Sequence, residues 1–127
     1  DNVRFYPPVK KTEIARITAS FDCGLMILAD VPAFYYGTSP NKFFDYIASG
    51  IPVLNNYPGW LCDQILANEC GMVVPPKDPG GFADALERLA RDGSLSMAMG
   101  LRGRVLAERE FSRFGLSQAF VAAITQP

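Results

Sequence analysis

Short apolar runs along the chain alternate with segments whose apolar residues recur every three or four positions. That alternation is the pattern of strand–helix units laid side by side on a parallel sheet. Strands are expected near Val3–Tyr6, Cys23–Leu28, Pro52–Leu54 and Met72–Val74. The second of these, "CGLMIL", is apolar throughout rather than alternating, as a central strand covered on both faces requires. Between the strands, "KKTEIARITAS" places Ile14, Ile17 and Phe21 at helical spacing with Thr12 as cap, and "LCDQILANECG" places Leu61, Ile65 and Leu66 likewise, with Gly71 as the stop. After the last strand Asp78 fits a helix N-cap, Pro79 the first helical position, Phe82, Leu86 and Leu89 the apolar face, and Asp92–Gly93 the end. Beyond Ser94 the strand pattern ceases, and two helices are expected, roughly Leu95–Arg109 and Arg113–Thr125, with Ser112 as the cap between them. The expected class is α/β: an open parallel sheet of about four strands, helices on both faces and a helical C-terminal tail.

The segment "GTSPNKFFDYIASGIPV" carries the most chemistry. Ser39 suits an N-cap, Pro40 the first helical position and Gly50 the left-handed residue past the end, so a helix over about Pro40–Ser49 is predicted. Phe43, Phe44, Ile47 and Ala48 form its apolar face, which leaves Asn41, Lys42, Asp45 and Ser49 on the other side. A lysine in a first turn is repelled by the helix dipole, unless an anion shares the site. Free N–H groups, the dipole and the Lys42 ammonium together form an anion site suited to phosphate. Gly37 permits close approach of a ligand to the backbone, and the loop follows the carboxyl end of a strand, where open α/β sheets bind ligands. Asp45, one turn deeper, can accept hydrogen bonds from hydroxyls such as a ribose diol. A solvated Lys42–Asp45 ion pair, worth ~0.3 kcal/mol, is the alternative. The loop "NNYPGW", Asn55–Trp60, follows the next strand and reads either as a second binding loop through Asn55, Asn56 and Gly59 or as a tight turn with Tyr57 and Trp60 as packing residues.

Composition narrows the chemistry. The 127 residues fit one domain, and 12 Lys and Arg against 13 Asp and Glu, scattered along the chain, argue against a nucleic-acid partner. With 3 cysteines at spacings that match no zinc pattern and no histidine, neither a disulfide framework, a structural zinc site, a catalytic triad nor an imidazole base is expected. Cys23, within a strand, reads as a small core hydrophobe. No apolar run approaches the roughly 18 residues of a membrane span, and the first residues carry no signal-peptide pattern, so a cytoplasmic location is expected.

The run "SPNKFFDYIASGIPVLNN", followed by "GWLCDQI" and "CGMVVPPKDPGGFADAL", resembles the carboxyl-terminal domain of family-four glycosyltransferases, especially bacterial enzymes that build O-antigen, capsule or other lipid-linked glycans. The resemblance spans nearly the whole chain. It implies a two-Rossmann-domain (GT-B) architecture in which this domain, Rossmann-like in fold, holds a nucleotide-sugar donor, taken here as a UDP-sugar. By position, Asp45 stands where the family carries a ribose-binding glutamate, one methylene longer. Thr38–Lys42, with Ser39 and Asn41, matches the segment facing the diphosphate and sugar. The family's second glutamate, eight residues earlier, is replaced by Gly37. The resemblance further implies that residues 1–127 form one partial domain, starting at the third strand of the donor half. The catalytic residues then stay unassigned, and the acceptor, a lipid-linked molecule or a saccharide, is held by an N-terminal domain outside this chain. Such a piece is expected to be inactive alone and able to self-associate across an exposed sheet edge. No cofactor and no metal are expected, and the parent enzyme is placed in the cytoplasm or peripherally at the inner face of the membrane. The competing readings are a non-catalytic nucleotide-sugar or partner-binding module and a sugar-nucleotide epimerase fragment. A receiver-like domain lacks its acidic cluster, and a dinucleotide oxidoreductase lacks Gly-x-Gly-x-x-Gly after a strand.

Overall fold

The computed structural model describes residues 2–125. The ends of the expected domain, residue 1 and residues 126–127, lie outside the described residues. In chain order the elements are α1 (Lys11–Thr18), β1 (Gly24–Met26), α2 (Pro32–Tyr35), α3 (Asn41–Ala48), β2 (Val53–Asn55), α4 (Trp60–Ala67), β3 (Gly71–Val73), α5 (Pro79–Arg91), α6 (Gly93–Glu110) and α7 (Arg113–Thr125). The strands form one parallel sheet in the order β1-β2-β3, with Leu25 opposite Leu54 and Leu54 opposite Met72. The expected α/β class with helices on both faces is therefore what the chain adopts.

Side chains alternate across the sheet and build two cores. Met26 and Val53 pack with Phe43 and Ile47 of α3, Leu61 and Ile65 of α4, and Leu106 of α6. Leu54 packs on the other face with Val74 and with Ala85 and Leu89 of α5. Burying a Phe or Ile side chain completely contributes roughly 2–3 kcal/mol, so the fully enclosed Phe43 and Ile47 fix α3 on the sheet. At its other end α3 meets α6. A side chain at Gly100 of α6 would collide with the Gly50 carbonyl, so glycine there sets the distance of closest approach. Gly50 itself holds φ +71, as expected for the residue that ends α3.

Several expectations are corrected. Val3–Tyr6 is not a strand: residues 2–10 carry no regular structure and are exposed, with Phe5 95% accessible. A strand needs a ladder partner, and none lies beside this segment. Thr12 does not cap α1, whose N-cap is Lys10 with no side-chain hydrogen bond. The helix α4 ends at Asn68, before Glu69 at φ +47, and Gly71 belongs to β3. Leu66 is exposed rather than packed. In α5, Ala85 and Leu89 are the buried positions, while Leu86 lies 38% exposed. Asp78 caps α5 by accepting from Gly81 N at 2.8 Å, as its spacing predicts. Asp92 ends α5 and also caps α6, accepting from Leu95 N at 2.9 Å, so α6 starts earlier than expected. Ser112 accepts from Gly115 N at 3.1 Å at the start of α7.

Candidate functional site

Parallel strands deliver their carboxyl ends to one edge of the sheet, and the loops after β1, β2 and β3 gather there. The first of these leads through α2 into α3. Its start differs from expectation by one residue: Pro40, in extended conformation at φ −68 and ψ 136, is the N-cap, and no side chain caps the turn. The pyrrolidine ring has no acceptor to offer, and Ser39, one residue too early, cannot replace it. Phe43 N donates to the Pro40 carbonyl at 3.1 Å, and the N–H groups of Asn41 and Lys42 are left without a side-chain cap.

Lys42 stands in that turn. Partial burial alone pulls its ammonium below the ordinary lysine range. Among the described residues neither Lys42 nor Asp45 enters an ion pair, so the Lys42–Asp45 alternative does not form. The residue stays largely exposed, and an ammonium without a counter-charge beside N–H groups that no side chain caps leaves positive potential at this turn. Asp45 lies half-buried on the same helix, and Asn41 is exposed in its first turn. Before the helix, Ser39 is exposed and the Thr38 hydroxyl donates to the Phe34 carbonyl. Nothing lies within 4 Å of a Cβ placed on Gly37, so packing within this chain does not demand glycine there.

The loop after β2 has a different character. Asn55 is fully buried and its amide donates to the Tyr57 carbonyl, leaving its Oδ1 enclosed without a partner. Asn56 accepts from Leu28 N at 2.8 Å and donates to Leu28 O at 3.1 Å, extending the β1–β2 pairing by a side chain. Gly59 holds φ +119, and a side chain there would run into the Tyr35 carbonyl. These three residues shape the rim. Tyr57 is buried, with its hydroxyl pushed up by that burial. Trp60 packs its ring against Phe44 and Phe111, with centroids at 6.4 and 6.1 Å. Cys23 lies half-buried against the second core, and desolvation raises its thiol to about 11.

A group that sequence reasoning missed joins the rim from the third loop. Asp30, after β1, accepts from the Tyr35 hydroxyl and pairs with the Lys77 ammonium. Lys77 and then Tyr35 hold its carboxyl below the ordinary range, and the same bond pushes the Tyr35 phenol up to about 12. The one local signal was "PPKDP", a turn after a strand, which does not reveal a partner 47 positions away in the sequence. Among the described residues no three His, Cys, Asp or Glu side chains converge as a metal ion requires.

No solved structure matches the chain. The D-inositol 3-phosphate glycosyltransferase of Nocardioides sp. (strain ATCC BAA-499 / JS614) is 32% identical over 95 residues, covering 71% of this chain and 18% of that protein. The chain thus spans less than a fifth of that relative. The family described as glycosyl transferases group 1 matches residues 1–92, which take in the whole sheet and the head of α3, and the chain belongs to that family.

Proposed function

We propose that this chain is the carboxyl-terminal part of the donor-binding half of a glycosyltransferase, and that the head of α3 receives the diphosphate of a nucleotide sugar. The observation that carries the reading is Lys42: an exposed ammonium without a carboxylate partner, in a first turn that no side chain caps, at the carboxyl edge of a parallel sheet. Departure of a nucleoside diphosphate develops negative charge on the phosphate, and fixed positive potential there lowers the barrier without a metal or a strong base. Gly37, Thr38, Ser39 and Asn41 line the approach, and Asp45 accepts from the ribose hydroxyls. Asn55, Asn56 and Gly59 support the rim rather than touch the donor.

The donor is taken as a UDP-sugar. Its acceptor, a lipid-linked molecule or a saccharide in surface-polysaccharide synthesis, belongs to the other half of the enzyme, so this domain alone is inactive. The name of the Nocardioides relative favours a second acceptor class, a polyol phosphate. Among the described residues no helix is long and apolar enough to cross a membrane. Work on the cytoplasmic side, with membrane contact left to the other half, fits that observation. An NMR titration with UDP tests the reading. Amides from Gly37 to Asp45 should shift, and the Lys42 ammonium should rise back toward the ordinary lysine range as the phosphate restores its counter-charge. A folded sample with neither change would refute donor binding by this domain.

A further inference from the structure

Tyr35 is where the loops after all three strands meet. It is the last residue of α2 and is 7% exposed, packed in the core that holds Phe43. Its hydroxyl donates to Asp30 in its own loop, and Asp30 binds Lys77 of the loop after β3. Its carbonyl lies against Gly59 of the loop after β2, so closely that only glycine fits. One residue earlier, the Phe34 carbonyl accepts from Thr38, which ties the fixed point to the turn that enters α3. Lys77 adopts φ +59, a left-handed conformation that non-glycine residues avoid and that surrounding structure must maintain.

We infer that Tyr35, held by Asp30 and Lys77, is a positioning residue: it sets the path of Tyr36–Pro40 so that Gly37–Lys42 meet a phosphate-bearing ligand in one fixed geometry. The inference rests on the donor reading above for the ligand, but not for the ordering of the turn. Without the latch only the exposed chain between Tyr35 and Pro40 would define where the head of α3 is approached, and preorganisation of the anion site would be lost.

Backbone nitrogen relaxation on the ligand-free chain tests the ordering directly. In Tyr35→Phe the order parameters of Tyr36–Ser39, Asn41 and Lys42 should fall from about 0.85 toward about 0.6, and Lys77→Met, which removes an ammonium that is 77% exposed, should give a smaller fall in the same direction. Ala85–Leu89 of α5 should keep their wild-type values, and Lys77→Arg should keep the turn ordered. Unchanged order parameters in the turn of Tyr35→Phe, or an equal fall in α5, would overturn the inference. A UDP titration of the same samples separates the two readings. Tighter binding by wild type than by Tyr35→Phe supports positioning, and equal binding overturns it. A wild type that ignores UDP while its turn loosens on substitution removes the donor reading and leaves the latch standing.

Discussion

Two helices begin at the same edge of the sheet and begin differently. At α5, Asp78 accepts from Gly81 N and no basic residue stands in the first turn, so the helix satisfies its own dipole. At α3, the N-cap is a proline with no side-chain acceptor, and the first turn holds a lysine without a counter-charge. Both follow strands of one sheet, and in both a proline stands at the start of the helix. One is capped by its own side chain and the other is not. Under the donor reading proposed above, the two starts differ in what satisfies their N–H groups rather than in the shape of the backbone.

Three substitutions test the contrast. The largest effect is expected from Lys42→Ala in the complete enzyme. If Lys42 faces the leaving phosphate as proposed, its loss should lower kcat about 100-fold, or roughly 2.7 kcal/mol, and steady-state kinetics with a UDP-sugar measure it. Unaltered turnover would place Lys42 with ordinary surface lysines. Next, Pro40→Asp converts the start of α3 into one like α5. It should stabilise the fold by about 1 kcal/mol in denaturant melts and weaken UDP binding roughly tenfold, as the new carboxylate occupies the N–H groups and repels phosphate. Stabilisation with undiminished affinity would show that the uncapped groups do not serve the ligand. The smallest effect belongs to Asp78→Ala, which should cost about 1 kcal/mol of stability and leave UDP affinity unaltered. A drop in affinity there would dissolve the contrast.

Local patterns made much of this legible. Asp78, Pro79 and the apolar spacing located α5, and Ser112 located α7 to the residue. The three strands of the sheet lay within two residues of their predicted bounds at the starts and ends of their cores. Val3–Tyr6 misled because its composition favours a strand while its pairing partner is a matter of topology. Ser39 misled because the fixed φ of Pro40 fits the first helical position, yet Pro40 takes extended ψ 136 and the helix starts one residue later. The position of Lys42 in a first turn was visible as a lysine set against the helix dipole. The Asp30–Tyr35–Lys77 group was not, since the residues come from separate loops whose proximity only the sheet order decides. The two bonds of Asn56 to Leu28 were hidden for the same reason, since they join the loops after two different strands.

The crossing of α6 over the end of α3 has a mechanical meaning. Gly100 lets the two backbones touch, and Arg104 donates to the Ala48 carbonyl, gripping the last turn of α3. The helix is thus a beam seated at both ends, by Phe43 in the core beneath its first turn and by α6 at its last, so neither end can swing without disturbing its support.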